Sequence, residues 1–205
     1  LGQAASFNGT NAYLTIADAT DMRLTNYTVM GWIYADAGSI GTWNGVIGKA
    51  GRNNAVWFND TGYLLHRYTS PASNNDGPAN AFTINRDTWH HFAIRYSGNN
   101  TSTWIDGVEV STAVETGGQI PTSSDWEIGR IESNNGYLWN GLIDEIKIYK
   151  YGLADSLIAN DFSNPQPFGV FGNISSQMIV NAAPILDHIE ISVTGTEFFR
   201  GIPFE

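Results

Sequence analysis

A single carboxylate interrupts an apolar strand pattern late in the sequence. Residues 142–149 alternate with the period of a β-strand, so Leu142, Asp144, Ile146 and Ile148 are predicted to share one face. An ionised carboxylate on an apolar face is costly unless it is paired or coordinated. Backbone N–H groups, an arginine or a hard cation such as calcium would each stabilise Asp144, and the sequence leaves these alternatives open.

The acidic residues do not form a pattern typical of glycoside hydrolysis. That reaction needs two carboxyl groups that face one bond, about 5–10 Å apart. Asp144 and Glu145 are adjacent, so on a strand their side chains point to opposite faces. Loop acids such as Asp60, Asp76 and Glu132 could converge only through tertiary structure. The sequence therefore predicts that the chain is not an enzyme.

The four histidines, His66, His90, His91 and His188, do not have the spacing of a metal site. His90 and His91 are consecutive, so their side chains diverge, and no two histidines are four residues apart. We therefore predict no zinc site. His91 is interpreted as a hydrogen-bonded structural residue.

Three of the seven tryptophans lie near turn-rich stretches, where binding sites are common. Their rings could stack on the apolar faces of sugars, while neighbouring amides and carboxylates bind hydroxyl groups. The predicted ligand-binding residues are Trp43, Asn44, Trp57, Asn59, Asp60, Asn134, Asn135 and Trp139. The alternative, that these tryptophans cap the ends of the fold, stays open because tryptophan is mostly buried.

Short strands separated by tight turns account for most of the sequence pattern. Residues 28–34 and 92–96 are rich in β-branched and aromatic side chains. Residues 103–110 predict a hairpin, because Asp106-Gly107 supplies the positive φ of a tight turn. Helical periodicity is nearly absent, and one short helix is predicted within 153–161. The pattern favours an all-β fold, either an antiparallel two-sheet sandwich or a jelly roll.

Composition and charge exclude several classes of function. The 205 residues suit one all-β domain. The net charge of −10 repels a phosphate backbone, so we predict no nucleic-acid partner. Cysteine is absent, which excludes disulfides and thiolate metal sites. No segment has the apolar length of a membrane span, so we predict no membrane insertion.

The composition changes near residue 163. The proline-containing stretch 164–167 predicts a linker, and residues 189–193 predict one more strand. We predict a domain over 1–162 and a linker with a C-terminal extension over 163–205, which docks on that domain or on a neighbouring subunit. Since the sequence starts at Leu1 rather than methionine, we expect it to be a processed or excised piece.

Four stretches occur in a recognisable order. They are residues 6–14 (SFNGTNAYL), 27–33 (YTVMGWI), 89–93 (WHHFA) followed by 104–107 (WIDG), and 141–149 (GLIDEIKIY) followed by Leu153. Together they resemble the laminin-G-like, concanavalin A-like jelly-roll superfamily over 1–162, but not over 163–205. The resemblance implies two antiparallel sheets packed face to face, one of them concave. It also implies non-catalytic glycan or protein binding in many members.

The same resemblance implies a structural calcium ion and no other cofactor. The implied ligands are Asp144 and the backbone or amide oxygens of Asn8, Gly9 and Asn11, because calcium takes six to eight oxygen ligands. Members of the superfamily usually carry an acidic residue near Asn8 or Asn11, and this chain has asparagine at both positions.

The resemblance and the aromatic loops together predict a lectin-like binding module, either extracellular or exposed on a cell, filament or virion surface. Its predicted partner is a glycan or a surface protein. The alternative is a structural or decoration protein that forms a homo-oligomer or a larger assembly through 163–205, because an extra strand suits pairing with another subunit's sheet edge. A glycosidase or lyase of the same fold is the third possibility.

Overall fold

The computed structural model describes residues 4–38, 43–51, 53–69, 74–76, 83–115, 117–132, 137–165 and 188–191. Within these residues the chain forms thirteen strands, one α-helix and a 3-10 turn at Thr20–Met22. The strands are β1 (Ala5–Asn8), β2 (Leu14–Ile16), β3 (Tyr27–Ala35), β4 (Trp43–Lys49), β5 (Asn53–Asn59), β6 (Leu64–Thr69), β7 (Asn74–Asp76), β8 (Trp89–Ser97), β9 (Asn100–Ile105), β10 (Val108–Val114), β11 (Trp126–Ile128), β12 (Asn140–Tyr149) and β13 (His188–Ile191). The helix is α1 (Asp155–Ser163).

The strands form two antiparallel sheets. The seven-stranded sheet has the order β1-β12-β3-β8-β9-β10, and β13 also pairs with β12. The six-stranded sheet has the order β2-β11-β4-β5-β6-β7. Side chains from both sheets meet in one core, so the predicted all-β sandwich is confirmed.

Strand alternation builds the core between the sheets. Every second residue of a strand points inward, and β-branched and aromatic side chains occupy these positions. The seven-stranded sheet contributes Val29, Ile33, Phe92 and Ile94, and the six-stranded sheet contributes Val56 and Phe58. Burying a side chain of this size contributes roughly 1.5–3 kcal/mol.

The helix α1 covers the outer face of the seven-stranded sheet, close to where the sequence predicts it. Its Ile158 packs with Leu153 against Met30, Ala93 and Trp104. Lys147 Nζ lies 2.5 Å from Asp161 of the helix, and His91 Nε2 lies 3.2 Å from the same carboxylate. His91 is buried and hydrogen-bonded, as the sequence analysis expected. In the described part of the chain, no helix has the length and apolarity needed to cross a membrane.

The predicted hairpin at residues 103–110 is confirmed as the turn between β9 and β10. Ile105 pairs with Val108, and Asp106 and Gly107 have φ values of 49° and 74°. Two consecutive positive φ values match the twist of the flanking strands. The Asp106 carboxylate also accepts the backbone N–H of His91 at 2.9 Å, which ties the turn to β8.

β12 departs from the uninterrupted alternation that the sequence predicts. Its register against β3 shifts between Asp144 and Lys147, which is a β-bulge. Ile143, Ile146 and Ile148 all lie in the core as a result. The prediction that Ile146 and Ile148 lie on the face opposite Ile143 is wrong, because the bulge inserts an extra residue between them.

β13 completes one edge of the seven-stranded sheet. β1 pairs with the first half of β12, and β13 pairs with the second half, from Ile146↔Ile191 to Tyr149↔His188. The extra strand that the sequence predicts at 189–193 therefore pairs with a strand of its own chain.

Candidate functional site

The outer face of the six-stranded sheet carries three aromatic rings that are separate from the main core. Val56 and Phe58 of β5 point into that core, so Trp57 between them points outward. Trp43 at the start of β4 and Tyr137 in the loop after β11 pack beside it. We call Trp43, Trp57 and Tyr137 the aromatic cluster.

The rings of the aromatic cluster meet edge to face. The ring centroids of Trp57 and Tyr137 are 5.0 Å apart at an interplanar angle of 82°, and those of Trp43 and Trp57 are 6.4 Å apart at 89°. This arrangement is favoured by the ring quadrupoles. Trp57 is 4% exposed, whereas Trp43 and Tyr137 are half-buried. Trp57 therefore forms the base of the cluster, and the other two rings form its accessible rims.

A glycine of β4 lets the loop after β11 lie against the sheet. A Cβ at Gly45 would lie 2.6 Å from Cγ1 of Ile131, so no larger residue fits without a shift. Backbone hydrogen bonds hold the same loop: the N–H of Gly129 donates to the carbonyl of Val46 at 2.8 Å, and the N–H of Gly45 donates to the carbonyl of Tyr137 at 3.0 Å. The strand itself therefore positions Tyr137.

The sequence predicts Trp139 as a binding residue in this region, whereas the structure places Tyr137 in the aromatic cluster. Trp139 is completely buried in the main core, where its ring centroid lies 5.5 Å from that of Phe58. Tyr137 was detectable as a second aromatic residue in the same turn-rich stretch. Only the path of the loop decides which of the two rings turns inward.

Two of the predicted amides are used inside the fold. Asn44 is buried and donates through Nδ2 to the carbonyl of Phe58 at 3.3 Å. The Oδ1 of Asn59 accepts the backbone N–H groups of Thr61 and Tyr63 at 3.1 and 2.8 Å, which closes the turn between β5 and β6. The remaining predicted residues are Asp60, exposed in that turn, and Asn134 and Asn135, which lie outside the described residues.

The four predicted calcium ligands fall in two separate places. Asn8 ends β1, and its Oδ1 accepts the N–H groups of residues 10, 11 and 12 at 2.9 to 3.1 Å. Asn8 pairs with Asn140, which is four residues and roughly 13 Å along β12 from Asp144. The structure therefore does not bring Asp144 close to Asn8, Gly9 and Asn11. Calcium binding stays a prediction.

Acidic and histidine side chains are dispersed across the described residues. Among them, no group of three or more is placed to hold a metal ion.

The Asp144 carboxylate lies in an apolar crevice at the edge between the two sheets. Its Oδ1 accepts the backbone N–H of Glu145 at 2.9 Å. Burial raises the pKa of Asp144 to about 6, and this hydrogen bond offsets only part of the rise. Of the partners that the sequence leaves open, the structure shows a backbone N–H. The crevice is lined by Ala5, Phe7, Leu14, Ile128, Ile143 and Ile146.

His66 forms a buried hydrogen bond between the sheets. Its Nε2 lies 2.8 Å from the hydroxyl oxygen of Tyr27, and both side chains are buried. Burial lowers the pKa of His66 to about 3, because the charged imidazolium loses its hydration. The imidazole is therefore neutral at physiological pH.

Comparison with known proteins finds one matching family model and solved structures with the same fold. The model of the concanavalin A-like lectin/glucanases superfamily, Laminin_G_3, matches residues 8–159. A comparison with curated proteins finds no match.

Three solved structures illustrate the similarity. Domain 4 of AbnA, a GH43 extracellular arabinanase from Geobacillus stearothermophilus solved in complex with arabinotriose, has 20% identity and a TM-score of 0.60, over 77% of this chain and 75% of that chain. A candidate carbohydrate-binding protein from Bacteroides ovatus ATCC 8483 has 17% identity and a TM-score of 0.62, over 78% of this chain and 46% of that chain. A variant of the NanB sialidase from Streptococcus pneumoniae has 17% identity and a TM-score of 0.61, over 77% of this chain and 27% of that chain.

The match spans less than half of the Bacteroides and Streptococcus chains. At these identities, the similarity shows a shared fold.

Proposed function

Because the chain belongs to the concanavalin A-like lectin/glucanases superfamily, we propose that it acts as a non-catalytic carbohydrate-binding domain. The observation that carries this proposal is the aromatic cluster on the outer face of the six-stranded sheet. The arabinanase domain with the same fold was solved with arabinotriose, which supports a sugar as the ligand.

The chemistry of the aromatic cluster suits a sugar ring. Trp43 and Tyr137 are half-buried, so parts of two rings are accessible for stacking on the C–H groups of a sugar. The indole N–H of Trp57 is buried and has no hydrogen-bond partner in the described part of the chain. A buried donor without a partner is unfavourable, and a sugar hydroxyl would accept its hydrogen bond if a rim ring moved aside.

The positions of Glu127 and Asp144 support binding rather than hydrolysis. Glu127 of β11 is bound by Arg130, whose Nη2 lies 2.5 Å from its Oε1. Asp144 lies in the crevice between the sheets, away from the outer face. A glycosidase needs two carboxyl groups that face one glycosidic bond, and these two do not. We propose that the domain works outside the cell or on an exposed surface, where glycans are accessible.

Replacing a rim of the aromatic cluster tests this function. We expect Trp43→Ala to weaken binding to a neutral polysaccharide such as arabinan by about tenfold or more, because a stacking surface is lost. Trp43→Phe retains a ring and should retain most of the affinity. Affinity electrophoresis on polysaccharide gels and calorimetry with oligosaccharides measure both changes.

Tyr151→Ala removes another exposed aromatic residue, next to α1, and serves as the matched control with unchanged affinity. If the unmodified protein binds no glycan on a broad array, the proposed function is overturned. Equal affinity of Trp43→Ala and the unmodified protein would also overturn the assigned site.

Attachment through 163–205 is a second proposed role, and β13 favours it. The strand pairs with β12 at the sheet edge, which gives residues 188–191 a defined place on the domain. In an assembly, β13 would leave the edge of its own domain and pair with the same edge of another copy.

A further inference from the structure

A second exposed ring lies on the outer face of the six-stranded sheet. Tyr13, just before β2, is 40% exposed. The guanidinium carbon of Arg130 lies 3.4 Å from the centroid of this ring. Arg130 also donates to Oε1 of Glu127, through Nε at 3.0 Å and Nη2 at 2.5 Å. One face of the tyrosine ring is therefore held by a guanidinium that is itself fixed by an ion pair.

Strand alternation places Tyr13 and Glu127 on the same face as the aromatic cluster. Trp126 and Ile128 flank Glu127, and both lie in the main core, so Glu127 points outward. Leu14 of β2 packs against the same core, so the preceding Tyr13 points outward as well.

The strand register gives the separation between Tyr13 and Trp57. β2 pairs with β11, β11 pairs with β4, and β4 pairs with β5. Leu14 and Ile47 both pair with Ile128, so Leu14 is level with Ile47 of β4. Trp57 pairs with Gly45, which is two residues before Ile47 in β4. Three strand spacings therefore separate Tyr13 from Trp57, a distance of about 14 Å. A single sugar ring cannot span this distance, whereas a short chain of sugars can.

We propose that the exposed Tyr13 ring, backed by the buried guanidinium of Arg130, forms a second sugar-binding subsite, so that the ligand is an oligosaccharide chain that crosses strands β2, β11, β4 and β5. This inference rests on the proposed carbohydrate-binding function. The first subsite is the aromatic cluster, and the second lies at the β2 edge of the same face. Buried Ile131 fills the space between them above Gly45.

The charges favour a neutral chain. Arg130 and Glu127 form a pair with no net charge, and the whole protein carries −10. An anionic glycan would approach a repulsive field. Glu127 and Arg130 are 3% and 9% exposed, so the Tyr13 ring is the accessible surface of this subsite. Because Arg130 already fixes the ring, little side-chain freedom is lost when a sugar binds.

Affinity measured against chain length tests the second subsite. The probes are arabino-oligosaccharides and cello-oligosaccharides of two to six units, measured by calorimetry on the full chain. We expect affinity to rise by about tenfold between two and four units, since the longer chain reaches both subsites. Tyr13→Ala should abolish this rise and leave disaccharide affinity within about twofold. Tyr13→Phe keeps the ring and should keep the rise, and Tyr151→Ala is the matched surface control.

The outcomes separate this inference from the function on which it rests. Binding that does not depend on chain length, or a Tyr13→Ala variant with an unchanged length dependence, overturns the second subsite and leaves the aromatic cluster intact. Loss of disaccharide binding in Tyr13→Ala would show that Tyr13 lies in the first subsite, and it would overturn the assignment of that subsite to the aromatic cluster. If no oligosaccharide in either series and no glycan on an array binds, both proposals fail. Thermal melting checks that each variant is folded.

Discussion

At the scale of single residues, buried polar side chains fix the ends of the sandwich. The ammonium group of Lys49 is completely buried and lies 3.1 Å from Asp18 Oδ1, 3.2 Å from the carbonyl of Met22 and 2.9 Å from the carbonyl of Thr122. Burial lowers the pKa of Lys49, while the Asp18 carboxylate opposes this change. One internal cation therefore ties three chain segments together.

His66 is expected to make the protein less stable in acid. Its pKa is about 3 in the folded protein and has the ordinary value of 6.5 in the unfolded chain. Between these two pH values the unfolded chain therefore binds more protons than the folded protein. The stability that the neutral imidazole contributes is complete above pH 6.5 and is lost as pH falls towards 3, at about 1.4 kcal/mol per pH unit. We expect His66→Gln to lack this loss. Urea unfolding between pH 3 and 8 measures the difference.

Asp144 acts in the opposite direction over part of this range. Its pKa is raised from 3.8 to about 6, so its contribution to stability decreases as pH rises through that interval. Within that interval Asp144 opposes the effect of His66, and the difference between the unmodified protein and His66→Gln isolates the histidine. Above pH 6.5 the two stability curves should run parallel. Parallel curves between pH 3 and 6.5 as well would contradict the assignment.

At the scale of elements, local irregularities of the strands decide which side chains enter the core and which reach the candidate site. The bulge in β12 turns three isoleucines into the core, and the glycines of β4 admit the loop that carries Tyr137. A regular strand in either place would present a different set of side chains. The core therefore depends on the bulge in β12, and the candidate site depends on the glycines of β4.

Gly45→Ala should destabilise the fold and disturb the aromatic cluster together. The new Cβ would lie 2.6 Å from Ile131 Cγ1 and 2.9 Å from the backbone carbonyl carbon of Arg130, so the loop must move. We expect a loss of about 1–3 kcal/mol in the free energy of unfolding, with weaker sugar binding. Gly38→Ala, where the Cβ meets only ordinary contacts, is the control and should change stability by less than about 0.5 kcal/mol. Unchanged binding in a destabilised Gly45→Ala variant would separate the loop from the site.

At the scale of the whole molecule, two sheets enclose the core, and β13 covers part of one edge of the seven-stranded sheet. β12 has its inner residues Ile146 and Ile148 in that core, and β13 covers the edge beside them. An uncovered strand edge offers N–H and C=O groups to other chains. The tail therefore closes an edge that would otherwise be open to pairing.

Proline in β13 tests this closure. Proline removes a backbone donor, and neighbouring residues of a strand point their N–H groups to opposite sides, so one of Ile189→Pro and Glu190→Pro must break the ladder. We expect that variant to speed amide exchange by at least about tenfold at the residues within 146–149 whose N–H groups point to β13, while the amides of β3 stay protected. Ile189→Ala and Glu190→Ala keep the donors and are the controls. Equal protection in both proline variants would show that β13 does not cover this edge.

The sequence by itself determined the architecture of this protein, because strand periodicity and turn chemistry are local properties. Alternating β-branched residues predicted the sandwich, and Asp106-Gly107 predicted the hairpin with positive φ at both positions. The sequence also predicted Trp43 and Trp57 as ligand-binding residues, and the structure packs both in the aromatic cluster. Their binding of a sugar stays a prediction.

Only the tertiary structure decided which of these residues come together. Tyr137 joins the aromatic cluster and Trp139 enters the core because the loop after β11 is held against β4 by hydrogen bonds distant in sequence. Asp144 lies apart from Asn8 because the pairing of β1 with β12 fixes their separation. Such contacts depend on register and on loop paths, which no single segment encodes.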